Sequence, residues 1–217
     1  LAKPKPIKFD LLGNAKDSLR QAVELLAWEG LGDQHSRLKH AISSSAHAIE
    51  LLLKEKLRQS NPALIWQNVD KYPSLEAQTV TVDTAISRLK RIAGVTLSAQ
   101  DIDHIRSLRK TRNAIEHYEW SATEAEARVI VGNALSFAFI FGKDELGVDL
   151  SIDFKQDDTW RVLIENLCEF SRAHAARIEA QLKKQGKHTM YCDSCGESTV
   201  ASGSCELCGH WQEADDA

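Results

Sequence analysis

Apolar residues recur at helical spacing through most of the chain, and the pattern predicts a series of amphipathic helices. Leu12, Ala15, Leu19, Ala22, Val23 and Leu26 mark the first, from Leu11 to about Glu29, ended by Gly30. Asp33 is placed to cap a second helix reaching about Gln59, with the stripe Leu38, Ile42, Ala46, Ile49, Leu52 and Leu53. Its last turns are charged (Lys54, Glu55, Lys56, Arg58) and Asn61-Pro62 follows. Residues 60 to 80 read as a long connection with little period. Thr81 or Asp83 opens a short helix through Ala85, Ile86, Leu89 and Ile92, stopping at Gly94. Ser98 and Asp101 resemble a capping box for the next helix, whose stripe is Ile102, Ile105, Leu108 and Ile115.

Ser121 with Glu124 reads as another N-cap, for a helix to about Phe141 that is apolar on most sides and therefore central. Val148, Leu150, Ile152 and Phe154 alternate with polar residues, which predicts an extended edge segment. Asp157 or Asp158 caps a last long helix through Trp160, Leu163, Ile164, Leu167, Phe170, Ala175, Ile178 and Leu182, with Cys168 as inert packing beside its apolar face. Beyond it Lys-Lys-Gln-Gly-Lys-His reads as a linker. Pro4 and Pro6 make residues 1 to 10 an extended lead-in. The expected class is all-α, with a bundle over residues 1–185 and a small C-terminal knob over 186–217.

Composition narrows the function classes. The 217 residues carry a formal charge of -4, which argues against a broadly basic nucleic-acid coat. A local one remains open, because Arg88, Lys90, Arg91, Arg106, Arg109, Lys110 and Arg112 face only Asp101 and Asp103 in the same stretch. A solvated helix face is the alternative reading. No secretory signal is visible, and the greasy run Val129–Phe141 is too short to span a bilayer, so a buried core helix and no membrane partner are expected.

Four of the five cysteines form two pairs, Cys192-x-x-Cys195-Gly196 and Cys205-x-x-Cys208-Gly209, nine residues apart. Each turn can aim two thiolates at one ion, and each following glycine permits the bend. Four thiolates close a tetrahedral shell, so structural zinc is the expected cofactor and a reducing, cytoplasmic location follows. A segment this small has almost no core, so metal binding should supply its folding energy.

The other chemistry lies in Arg109-Lys110-Thr-Arg112-Asn113-Ala-Ile-Glu116-His117-Tyr118. Arg112 falls on the apolar stripe, four after Leu108 and three before Ile115, where burial without an acceptor would be costly. It should therefore face a cleft, a carboxylate or a second subunit. Asn113 and His117 share a neighbouring face, with Arg109 one turn earlier. The plainer account is an Arg112–Glu116 ion pair, with Asn113 and His117 fastening the helix end. His40 and His47, seven apart on the second helix, fit simple packing, although His47 is also placed to line the same cleft as His117.

Arg112-Asn113-x-x-x-His117 at the end of a bundle helix resembles the R-x4-6-H motif of HEPN domains. His47-Ala-Ile-Glu-Leu-Leu-Leu-Lys54 and Ala85-Ile-Ser-Arg-Leu-Lys-Arg91 are similar to segments of bacterial HEPN-type proteins. The resemblance spans roughly residues 11 to 145. It implies a HEPN-like four- to six-helix bundle, here with the zinc ribbon, that dimerises to bring two motifs into one cleft. It also implies metal-independent RNA cleavage, as in toxins paired with an antitoxin and in phage-defence effectors. Arg112 and His117 would be the catalytic pair, oriented by Asn113, with Arg109, Lys110, Tyr118 and His47 holding RNA. A modified tyrosine two residues after the histidine in some members is Glu119 here, so that route of regulation is not carried over. Some bundles of this type are non-catalytic, so a nucleotide- or partner-binding regulatory module is the alternative. In an ideal helix residues five apart diverge by about 140°, so Arg112 and His117 need a bent helix end, a long Arg reach or a partner subunit.

Overall fold

The computed structural model describes residues 9–28 and 33–213; the expected lead-in over 1–8 and the stop at Gly30 lie outside them. Over these residues the chain is all-α apart from a two-stranded hairpin near its end. Its helices are α1 (Leu11–Ala27), α2 (Gln34–Ser60), α3 (Val82–Arg91), α4 (Ala99–His117), α5 (Glu124–Leu146), α6 (Ile152–Gln156), α7 (Thr159–Asn166) and α8 (Cys168–Lys184). The hairpin pairs β1 (Val200–Ala201) antiparallel with β2 (Ser204–Cys205).

Local chemistry sets several starts. Asp10 accepts from the Gly13 amide at 2.7 Å, Asp33 from Ser36 at 3.1 Å and Ser98 from Asp101 at 3.0 Å. The cap of α5 is Thr123 rather than Ser121. Its hydroxyl accepts from the Glu126 amide, and the Glu126 carboxylate accepts from the Thr123 amide at 2.7 Å, a reciprocal pair that Ser121 and Glu124 do not form. At the other end α5 runs past Phe141 to Leu146 and stops at Gly147, whose φ of 68° suits glycine.

Around α2 and α5 the other long helices assemble: α1 lies along α2, and α5 packs on α2, α4 and α8. Gly132 in α5 permits the last of these contacts, because a Cβ there would lie 2.8 Å from the Phe170 amide nitrogen. α5 is long and apolar enough to cross a bilayer, unlike the shorter run expected, and most of it is buried in the bundle. The charged end of α2 also turns partly inward. Lys54 meets Glu50 at 2.6 Å and Thr79 at 2.8 Å, while buried Glu55 receives both Arg58 nitrogens at 2.7 Å. Across the 60–80 connection, Arg88 donates to the carbonyls of Leu64, Trp66 and Gln67 and so ties the loop to α3.

Three expectations change in the second half. The alternating segment is not extended: Asp149 accepts from the Ser151 amide at 2.9 Å and hydroxyl at 2.6 Å, and the chain turns into α6. Leu150 and Phe154 are buried and Ile152 is exposed, an arrangement that a four-residue helical interval satisfies as well as alternation does. The last long helix is two helices broken at Leu167. Arg128 reaches across the break to the Asn166 carbonyl and to Glu169, and Asn166 donates to the Ala27 carbonyl at 2.8 Å. Cys168 is therefore the exposed first residue of α8, not packing. The turn into α6 and the break at Leu167 raise the helix number among the described residues to eight, above the four to six expected.

Candidate functional site

The apolar face of α4 is carried by Ile105, Leu108 and Thr111, with Ile115 half-buried. Thr111, three after Leu108, takes the inward position that the four-residue interval assigned to Arg112. Arg112 sits at the edge of the face, lining a recess of about 40 Å³ with His47, Glu50 and Arg109. Its Nε donates to Glu116 Oε1 at 2.7 Å, and its Nη1 donates to Asn113 Oδ1 at 3.3 Å. Arg112 thus meets a carboxylate of its own helix.

The other oxygen of Glu116 lies 4.0 Å from His117 Nε2, and the His117 side chain is 64% exposed. The arginine and histidine, which an ideal helix points apart, therefore flank one carboxylate, bonded to Arg112 and near His117. Arg109 is engaged elsewhere: it pairs with Asp83 of α3 at 2.7 Å, beside Arg106 at 3.0 Å. The Arg106 hydrogen bond, helped by the charge of Arg109, holds the Asp83 carboxyl below its ordinary range. His47 Nδ1 lies 3.0 Å from the Ser18 hydroxyl and lines the recess with Arg112, but His117 does not line it. Lys110 is exposed and, among the described residues, has no ion-pair partner.

Past the helix end, Tyr118 is 80% exposed, its ring 6.4 Å from that of His117. It forms one side of a groove of about 440 Å³ with Trp120, Ile115, Leu38, His35 and Lys39. Trp120, His35 and Lys39 were not among the residues singled out from the sequence. An aromatic three residues past His117 was the available signal for the first, whereas His35 and Lys39 arrive from α2 and required the tertiary fold. Glu116 was read only as a partner for Arg112, not as a link to His117.

The four C-terminal cysteines converge as their spacing predicts. All four Sγ atoms lie within 4.8 Å of one another, with Cys192–Cys208 at 3.6 Å and Cys195–Cys205 at 3.7 Å. Those separations are far too long for disulfides and match the edge of about 3.8 Å expected of a tetrahedral metal–thiolate shell. Gly196 and Gly209 adopt φ of 72° and 79°, and their amides donate to the Cys192 and Cys205 carbonyls at 2.8 Å, so the two knuckles are alike. Burial pushes the Cys208 thiol up to about 11 and raises Cys195 as well. At Cys205 burial also acts upward, but hydrogen bonds from the Cys208 amide and the Thr199 hydroxyl outweigh it and bring the thiol down to about 7. A cation among the sulfurs would favour the thiolate form of all four.

This knob docks on its own bundle. Trp160 of α7 donates its indole N–H to the Leu207 carbonyl at 2.7 Å, within the second knuckle, and Leu207 is fully buried. Phe139, Phe170 and His174 surround Trp160 with ring centroids 4.9 to 5.6 Å away. The second CxxC turn therefore rests on an aromatic box made by α5, α7 and α8.

Compared with known proteins, the chain matches no family model, no curated protein and no solved structure.

Proposed function

We propose that the end of α4 is an RNA-cleaving site of a HEPN-like bundle, working without a catalytic metal and completed by a second copy of the chain. The observation that carries this reading is the placement of Arg112 Nε at 2.7 Å and His117 Nε2 at 4.0 Å from the two oxygens of the Glu116 carboxylate. The guanidinium already holds an anion with the imidazole close by, and an RNA phosphodiester in its place would lie between the same two groups. RNA brings its own nucleophile in the 2′-OH. His117 takes the 2′-OH proton as the oxygen attacks phosphorus, the bond to the 5′-oxygen breaks, and that oxygen receives a proton. Arg112, steadied by Asn113, stabilises the extra charge on the phosphorane oxygens. The products are a 2′,3′-cyclic phosphate and a 5′-OH. Tyr118 and Trp120 offer aromatic faces on which a neighbouring base can stack. Arg109, bound to Asp83, contributes positive potential rather than a free contact, while Lys110 is available to RNA.

The second reading, a non-catalytic nucleotide- or partner-binding module, is favoured by the same ion pair, since Glu116 offsets the charge on Arg112. A labelled RNA incubated with metal-loaded protein, without added magnesium or manganese, separates the two. Fragments ending in 2′,3′-cyclic phosphate support the nuclease, whereas binding without cleavage supports the module.

For the knob we propose zinc in a structural role. Four sulfur donors suit zinc, and a closed shell leaves no position for substrate. Its docking on Trp160 fits a metal that fastens the C-terminus to the bundle. A cytoplasmic location and an antitoxin or other defence partner belong to the same proposal.

A further inference from the structure

A second cavity, of about 210 Å³, lies between α5, α6, α8 and the cysteine knob, away from the α4 end. Its charged lining is Lys143, Lys155 and Lys187 against Asp149 and Glu206, with His174 among the walls. His174 is 6% exposed, stacks on Phe170 at 5.2 Å, and has Nδ1 3.4 Å from the Ser136 hydroxyl. Burial, reinforced by the charges of Lys155, Arg177 and Lys143, brings its pKa down to about 3, so the ring is a neutral hydrogen-bonding group at ordinary pH.

The lysines are the informative feature. Among the described residues no carboxylate lies within ion-pair distance of Lys143, Lys155 or Lys187, although Lys54, Lys56 and Lys183 all have such partners. Asp149 is already engaged by the Ser151 amide and hydroxyl. Lys155 is steered over the Trp160 ring, 5.2 Å from its centroid. Lysines on three different segments thus line a polar cavity, and with Asp149 and Glu206 they leave its charged lining net positive. Lysines act as point donors to phosphate from several directions, and a tetrahedral dianion can accept from all three. The cavity has room for a phosphate group with a small substituent.

We propose that this cavity is an anion site for a phosphate group, free or at the end of a small monoester, held by Lys143, Lys155 and Lys187. Its rim belongs partly to the knob, because Glu206 sits between Cys205 and the docked Leu207. The knob would then shape a ligand site as well as fasten the chain end.

Calorimetric titration of the full metal-loaded chain with inorganic phosphate, and separately with ribose 5-phosphate, tests this at low salt. Saturable binding of either probe at one per chain is expected, and the tighter probe identifies the source. Joint Lys143→Ala and Lys155→Ala substitution should weaken it by about tenfold or more, since two charge-assisted contacts are lost. Both lysines are exposed, and the lost Lys155 contact with the Trp160 ring is worth only a small shift, so the thermal melt without ligand should stay within a few degrees of the parent. Arg112→Ala should leave the affinity unchanged. Absence of saturable binding by both probes overturns the proposal, as does binding that survives loss of the lysines or disappears with Arg112→Ala.

Discussion

Arg112 Nε donates to Glu116 Oε1 at 2.7 Å, so an arginine at the edge of the α4 apolar face is held by a carboxylate one turn ahead of it. Both side chains are more than a quarter exposed, which keeps the pair weak: exposed ion pairs contribute about 0.2–1 kcal/mol. RNA phosphate must displace or pull aside that carboxylate. Glu116→Gln should therefore tighten RNA binding, up to roughly fivefold at low salt. Filter binding or anisotropy reads this directly, and weaker binding by Glu116→Gln would mean that Glu116 contributes more to substrate than repulsion.

Removing the metal should release the knob from the bundle. On the zinc proposal a metal–thiolate shell organises the turn that carries the Leu207 carbonyl, so chelation or Cys192→Ser should free the Trp160 indole and red-shift the tryptophan fluorescence. Metal analysis of the untreated protein should give one equivalent of zinc per chain. Trp160→Phe keeps most of the aromatic packing but orphans the Leu207 carbonyl, at a cost of about 1–3 kcal/mol in a denaturant melt.

Gly132→Ala should destabilise the bundle by about 1–3 kcal/mol, because the added methyl meets the α8 backbone at Phe170 and Glu169 rather than a movable side-chain tip. Thermal melts of the variant and parent measure the effect, and an unchanged midpoint would show that the α5–α8 contact adjusts freely.

Acid should weaken the fold through His174. Its folded pKa, about 3, lies below the ordinary value of 6.5, so between those limits the unfolded chain binds the extra proton. Stability from the neutral ring is fully present above pH 6.5 and is lost as pH falls towards 3. The expected loss between pH 7 and pH 5 is about 2 kcal/mol. His174→Phe retains a stacking ring on Phe170 and should flatten that part of the urea-melt profile; an unchanged slope would assign the acid sensitivity to other groups.

The elements read most readily from sequence were those fixed by nearby residues. Asp33 and Ser98 mark their helix starts through side chains three residues from the amides they cap. The cysteine site was legible because each CxxC turn sets its own ligand spacing. The break at Leu167 was not, since it depends on Arg128 and on the Ala27 carbonyl, remote in sequence. Thr111 and Arg112 both lie a helical interval from Leu108, and only packing of α4 against α2 and α5 distinguishes them. His174 stayed hidden in the α8 apolar pattern because its aromatic neighbours come from three helices.

The most direct test of the central claim is the cleavage rate of a labelled RNA by zinc-loaded wild type, Arg112→Ala and His117→Ala, without added divalent ions. Wild type should yield 2′,3′-cyclic phosphate ends, and each substitution should slow cleavage by about 100-fold or more, in the range of a lost acid–base or charge-stabilising group. No cleavage by wild type, or equal cleavage by all three proteins, would contradict the assignment.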